Sequence, residues 1–155
     1  MKLSRVPATL VTGRCALDRE TSIAARLAVV PATCAAPGGP SSGIAPSSAS
    51  PNAASPSAIP GPVAVIVEGL ADPHSPLADV AGVQMHRIAP GCLCCAGNVV
   101  LRVTLNRLLR RPPAQLFISL ADATHVGQLR AMLSAPPYDT LLSLCDDVAA
   151  PVNAS

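Results

Sequence analysis

Three cysteines in one short segment are the residues of this chain best suited to a specific chemistry. Cys92, Cys94 and Cys95 stand between Gly91 and Gly97. Cysteine binds metal ions as thiolate, and the flanking glycines let the backbone bend sharply enough to bring these sulfurs to one ion. The spacing therefore favours a thiolate-rich zinc or copper(I) centre. The alternative is that these cysteines are small buried hydrophobic residues, because Cys-x-Cys-Cys is less specific than two Cys-x-x-Cys pairs.

A zinc site built on thiolates from this segment has room for one further tetrahedral ligand, either water or a side chain. The candidates are His86 in the preceding predicted strand, Glu68 and His125. The sequence does not choose among them, and each histidine, including His74, can also be interpreted as an ordinary surface or capping residue. We predict isolated thiols, and not ligands, at the remaining cysteines: Cys15, Cys34 and Cys145.

The composition limits the class of protein. With 155 residues the chain is long enough for one domain with a substantial core, but short for two. Half of the residues are hydrophobic and 13% are charged, which is typical of elements that are buried on both faces. A net charge of +2, one Phe, one Tyr and no Trp argue against nucleic acid as a partner.

The N-terminal sequence argues against export, and the hydropathy pattern argues against a membrane protein. Charged residues between Arg14 and Glu20 interrupt the first apolar stretch too early for a signal peptide. No run reaches the ~20 apolar residues that a membrane span requires. We therefore expect a cytoplasmic protein in a reducing compartment, whose cysteines are thiols or ligands and not a disulfide framework.

A low-complexity segment divides the chain. From Ala35 to Pro62 the residues are almost entirely Pro, Ala, Ser and Gly, without any charge. Such a segment cannot bury enough surface to offset its ordering entropy. We interpret it as a flexible insert at 35–62 within a single unit that spans 1–150, because the residues before it are too few for an independent domain.

Apolar patterns on both sides of the insert predict alternating strands and helices. Strands are predicted at 6–12, 63–67, 83–88 and 115–120, followed by a last apolar run at 140–145. Helices are predicted from the spacing of apolar residues within 23–30, 101–109 and 126–133. This alternation predicts an α/β fold with a mostly parallel sheet flanked by helices.

Arginines accompany the apolar stripe of the helix that follows the cysteine segment. We interpret them as a solvent-exposed face, and the alternative is contact with an anionic partner. These arginines are Arg102, Arg107, Arg110 and Arg111.

The order of elements and motifs resembles the CobW-like P-loop GTPases, a family of metal chaperones and metal-cofactor assembly factors. The first strand with Gly13 resembles the family's entry to the phosphate loop, and Val63 to Glu68 resembles the strand before its switch region. The segment 91–95, Gly-Cys-Leu-Cys-Cys, reproduces the family's Gly-Cys-x-Cys-Cys loop. The resemblance implies a P-loop NTPase-like fold, Zn²⁺ at the cysteine loop, and a metalloenzyme client or a complete family member as protein partner.

The nucleotide motifs of that family are degenerate in this chain. A phosphate loop needs Gly-x-x-x-x-Gly-Lys-[Ser/Thr], whereas Asp18, Arg19 and Glu20 occupy its last three positions. Candidate nucleotide-binding residues are then Gly13, Arg19 and Thr21. The family's Glu-x-x-Gly sensor falls at 119–122, where neither residue is present. We therefore expect GTP and Mg²⁺ binding to be lost, and we assign no catalytic residue.

The sequence after the last apolar run lacks a counterpart of the family's guanine-reading loop and C-terminal domain, which predicts an incomplete G domain. Three functional classes follow from these observations. The first is a zinc-binding protein related to the metallochaperones, without GTP hydrolysis. The second is a residual GTPase, the one enzymatic alternative. The third is a non-catalytic paralogue that acts as a protein-interaction partner.

Overall fold

A computed structural model describes residues 4–28, 61–70, 72–89 and 99–151 of the chain. Its strands are β1 (Val6–Thr12), β2 (Val63–Glu68), β3 (Val83–Ile88), β4 (Gln115–Leu120), β5 (Leu142–Leu144) and β6 (Val148–Ala149). Its helices are α1 (Ala16–Ala28), α2 (Val99–Leu109), α3 (Val126–Leu133) and α4 (Tyr138–Leu141), with a 3₁₀ turn at Ala123–His125.

The strands form one sheet in the order β3-β2-β4-β1-β5, and β6 pairs with the C-terminal end of β1. Every pair of neighbouring strands in it is parallel. Helices cover both faces, so the predicted α/β fold with a mostly parallel sheet is confirmed and is consistent with a P-loop NTPase-like architecture. Parallel strands end at a common edge, which we call the carboxyl edge.

The alternation of side chains along the strands divides the core into two layers. One layer joins even-numbered residues of β1, β2 and β4 to the apolar stripes of α2 and α3. The other joins odd-numbered residues of the same strands to Ile23 of α1 and to Leu77. The central strands are buried on both sides, as a near-continuous apolar run requires.

The bounds of β1, β3 and β4 match the predicted strands, and β2 extends one residue further, to Glu68. The last apolar run differs from the prediction. Its first residues, Thr140 and Leu141, belong to α4, which begins directly after Pro137 and anchors Tyr138 in the core. Strand β5 therefore starts only at Leu142.

Cys145 follows β5 and donates its backbone N–H to the Ala8 carbonyl over 2.8 Å. It is disulfide-bonded, so the prediction of an isolated thiol was wrong at this position. Cys15 is a free, exposed thiol.

The insert at 35–62, apart from Gly61 and Pro62, and the cysteine segment lie outside the described residues. The single-unit prediction for 1–150 therefore stays a prediction. None of the helices in the described ranges is long and apolar enough to cross a membrane.

Candidate functional site

Polar groups from four elements meet at the carboxyl edge. Gly13 follows β1, Glu68 is the last residue of β2, and Ser119 lies near the end of β4. Helix α1 begins just after Gly13 and carries Arg19 and Glu20 on the same side as Ile23. Three-residue and four-residue spacings place side chains on one helix face, so both charged groups point into the protein.

The predicted alignment with a phosphate loop places Arg19 at the lysine position, and this residue is 1% exposed. Its Nε donates a hydrogen bond to Ser119 Oγ over 2.7 Å, and its Nη2 donates to the Glu68 carbonyl over 2.8 Å. Nη1 donates to the Gly13 carbonyl. The guanidinium thus connects the carboxyl ends of β1, β2 and β4, and each of its nitrogens is engaged.

Burial lowers the pKa of the Arg19 guanidinium through desolvation, and the negative charge of Glu68 offsets part of this effect. An arginine keeps its proton in proteins nevertheless. A buried cation is tolerated when it is hydrogen-bonded, and each of the three nitrogens of this guanidinium donates to an acceptor.

Gly13 is a point of close approach. A Cβ atom at this position would lie 2.9 Å from the Ala150 Cβ and 3.2 Å from the Arg19 Cγ. Ala150 is held there because its N–H donates to the Thr12 carbonyl over 2.7 Å, directly after the β6 pairing. Because glycine has no Cβ atom, this position leaves room for the side chains of both Ala150 and Arg19.

The same predicted alignment places Glu20 at the position of the Mg²⁺-binding hydroxyl, and the Glu20 side chain is fully buried. One carboxylate oxygen, Oε1, lies 3.2 Å from Arg87 Nη1 in an ion pair. The other, Oε2, accepts a hydrogen bond from Ser75 Oγ. Arg87 also donates to the Leu70 carbonyl over 2.9 Å, so this pair joins α1 to the ends of β2 and β3.

The segment 119–122, which the sequence resemblance aligned with a nucleotide sensor, is hydrogen-bonded to β2. The Ala121 N–H donates to Glu68 Oε2 over 2.9 Å. Asp122 caps the 3₁₀ turn by accepting from the Thr124 N–H, and this hydrogen bond lowers the pKa of the Asp122 carboxyl. Thr21, the third candidate nucleotide residue, is exposed on α1, one position past Glu20.

The predicted metal ligands Cys92, Cys94 and Cys95 lie outside the described residues. Within the described ranges, no group of three or more His, Cys, Asp and Glu residues is placed to hold a metal ion.

The candidates for a fourth ligand differ in their surroundings. In His86, on β3, the Nε2 atom is buried and has no hydrogen-bond partner among the described residues. Glu68 already accepts the Ala121 N–H. His125 is partly exposed, and its Nε2 lies 3.9 Å from Asp122 Oδ2.

Sequence reasoning did not identify Ser75 and Arg87 as partners of Glu20. One local signal was available, because Glu20 lies three residues before Ile23 and Arg19 four residues before it. Both charges therefore had to face the core and needed partners there. The identity of those partners depends on how the sheet brings distant segments together.

Comparison with known proteins gives one partial match. Over 69 residues, which is 44% of this chain, the sequence is 36% identical to the zinc chaperone YeiR of Escherichia coli (strain K12). The chain spans about a fifth of the length of that protein, since the matched segment covers 21% of it. No family model matches the chain, and no solved structure matches it significantly. The chain is thus similar in sequence, over less than half of its length, to a zinc chaperone.

Proposed function

We propose that this protein binds zinc through Cys92, Cys94 and Cys95, is related to the CobW-like metallochaperones, and has lost GTP binding and hydrolysis. The observation that carries the proposal is the placement of Arg19, whose guanidinium fills the hollow between the Gly13 carbonyl, the Glu68 carbonyl and Ser119 Oγ. The partial match to a zinc chaperone supports the metal.

The way the charges at the carboxyl edge are used supports the proposed loss of nucleotide binding. A phosphate cradle offers free N–H donors and a cation to the phosphate oxygens. Here the cation donates to groups of its own chain. Withdrawing Arg19 toward a phosphate would break hydrogen bonds that contribute about 1.5 to 3 kcal/mol each when one partner is charged.

Mg²⁺ faces a similar obstacle. The position of the metal-binding hydroxyl is held by the Glu20 carboxylate, which is committed to Arg87 and Ser75. With these interactions, the charged groups of Arg19 and Glu20 have partners at the carboxyl edge without a nucleotide.

Zinc suits the donor set of the cysteine loop, because thiolate sulfur is a preferred ligand of this ion. We propose His86 as the fourth ligand. Val83 and Met85 pack in the layer of α1, and Ile88 packs in the layer of α2. Side chains alternate along a strand, so His86 shares the face of Ile88. Its Nε2 is a buried nitrogen without a partner in the described part of the chain, as expected of a ligand.

Zinc content under reducing conditions tests the metal site. We expect about one equivalent of zinc per chain in the wild type and none in a Cys92→Ser/Cys94→Ser/Cys95→Ser variant. Cys15→Ser is the matched control, because Cys15 is an exposed free thiol, and it should keep the metal. Equal zinc content in the wild type and the triple variant would refute the site.

His86→Leu separates the fourth ligand from the fold. Replacing an unpaired buried polar group by an apolar one is neutral or stabilising, so the metal-free variant should unfold at the wild-type urea concentration or above. Its zinc affinity should fall at least about tenfold. Unchanged zinc affinity would remove His86 from the site and leave the cysteines in place.

A fluorescent GTP analogue with Mg²⁺ tests the second part of the proposal. We expect no saturable binding at micromolar concentration, whether or not zinc is present. Saturable binding in that range would show that Arg19 can be displaced, and the residual GTPase would then be the better description.

A further inference from the structure

We infer that the outer face of α2 binds an acidic amphipathic segment of a partner protein. The face consists of six residues that we call the valine–arginine strip: Val99, Val100, Val103, Asn106, Arg107 and Arg110. Its two halves differ in character, since the first part of the helix is apolar and the end is cationic.

The apolar half is unusually exposed for its residue type. Val99, Val100 and Val103 are 62%, 47% and 53% exposed, whereas the opposite stripe of Leu101, Leu105 and Leu108 is buried in the core. A shallow hollow of about 280 Å³ follows, lined by Val103, Asn106, Arg107 and Arg110. Adjacent exposed apolar residues with a polar rim are typical of a protein interaction site.

The cationic half has no ion-pair partner among the residues that the structure describes. None of the salt bridges among the described residues involves Arg107 or Arg110. All nine Asp and Glu residues of the sequence fall within the described ranges. The segments outside those ranges contribute no carboxylate side chain, so the insert cannot neutralise these arginines. Two exposed cations that are unpaired within the described ranges, beside an apolar surface, are complementary to carboxylates of a partner molecule.

A protein segment fits this strip better than a nucleic acid. The valines would face phosphates in a nucleic acid complex and gain nothing from burial. The chain has no Trp, and its single Phe and single Tyr, Phe117 and Tyr138, are 0% and 3% exposed, so neither ring is available for stacking on bases. The strip runs about 16 Å from Val99 to Arg110 at the rise of an α-helix. A partner helix of about three turns, apolar at one end and acidic at the other, matches that length.

The test uses a fluorescein-labelled helical peptide of about 14 residues with Leu at one end and Glu at the other end of the same face. We expect saturable binding to the full chain that weakens as salt is added. Arg107→Glu/Arg110→Glu should weaken it about tenfold or more. The control Arg5→Glu/Arg26→Glu, an equal charge change at exposed positions, should change it less than about twofold.

Further measurements separate the alternatives. The wild-type chain should bind a peptide with Gln in place of Glu as weakly as Arg107→Glu/Arg110→Glu binds the Glu peptide. Circular dichroism should show that Arg107→Glu/Arg110→Glu unfolds at the same temperature as the wild type. Equal affinity of wild type and Arg107→Glu/Arg110→Glu would overturn the inference. So would tighter binding of a single-stranded RNA of similar length, or self-association that the same substitutions abolish. The cysteine triple variant should bind the peptide normally, so failure of the zinc proposal leaves this inference testable.

Discussion

Arginine is used in opposite ways at the carboxyl edge and on the outer face of α2. Arg19 is 1% exposed and donates to three groups of its own chain. Arg107 and Arg110 are exposed, and no described carboxylate pairs with them. Helix register makes the difference, because Arg19 shares the face of Ile23 whereas the others lie opposite Leu101, Leu105 and Leu108.

This difference indicates which of the two surfaces is available to a partner molecule. A cation whose three nitrogens all donate to its own chain stabilises the fold and has few donors left for a ligand. A cation with free donors beside exposed valines has a surface to offer a partner.

Arg19→Met should be the most damaging of these substitutions. It leaves the Gly13 and Glu68 carbonyls and Ser119 Oγ without their donor, and unsatisfied buried groups cost about 1 to 3 kcal/mol each. We expect a loss of about 3 kcal/mol in the free energy of unfolding. Urea denaturation followed by circular dichroism measures it, since the chain has no Trp.

Arg26→Met is the matched control for Arg19→Met, because Arg26 lies exposed in the last turn of the same helix. It should change the unfolding free energy by less than about 0.5 kcal/mol. Similar losses in the two variants would break the contrast between buried and exposed arginines.

Glu20→Gln should cost about 2 kcal/mol. The amide can still accept from Ser75, but it leaves Arg87 without its counter-charge. Asp79→Asn removes an exposed carboxylate and should change stability by less than about 0.5 kcal/mol. If the Glu20→Gln variant is as stable as the wild type, the buried ion pair contributes little to the free energy of unfolding. The Glu20 carboxylate would then be easier to withdraw from Arg87 and Ser75 than we propose.

Tyr138 links the core to α2, because its hydroxyl donates to Asn106 Oδ1 over 3.2 Å. Burial raises the pKa of the Tyr138 hydroxyl above 10.0, and the charge of Arg102 opposes this. The folded state therefore holds the proton more tightly than the unfolded state. This contribution to stability is complete below pH 10 and is lost as the pH rises through the folded-state pKa.

Unfolding titrations between neutral pH and strongly alkaline pH measure that loss. Tyr138→Phe should show a smaller decline above the ordinary tyrosine pKa of about 10. Identical alkaline declines in the two proteins would contradict the assignment to Tyr138.

Arg107→Gln/Arg110→Gln should have the smallest effect on folding, less than about 0.5 kcal/mol. Neither side chain has an ion-pair partner among the described residues. Thermal unfolding by circular dichroism measures the change. A loss comparable to that of Arg19→Met would show that these arginines serve the fold after all.

Local pattern was sufficient for most of the fold. The buried runs of β1 and β4 and the spacing of Ile23 and Leu27 indicate strands and a helix directly, because period and burial decide them. The run at 140–145 was ambiguous, since a short apolar run fits either element. In the structure Tyr138 packs in the core, and the first residues of this run belong to the helical turn that Tyr138 begins.

The site was harder to predict than the fold. The sequence predicted Arg19 to lie in a degenerate phosphate loop, but it could not indicate the hydrogen-bond partners Ser119 and Glu68, which lie 100 and 49 positions away. Only the sheet order brings them together. The buried Nε2 of His86, which has no hydrogen-bond partner among the described residues, likewise depends on the layer packed over β3, which no local pattern reveals.

A cobalt(II) titration under reducing conditions, with and without Mg·GTP, tests most directly the claim that metal is bound without a nucleotide. The account predicts a sulfur-to-cobalt charge-transfer band that saturates at about one equivalent and is the same in both samples. Absence of the band, or a band that appears only with Mg·GTP, would contradict it.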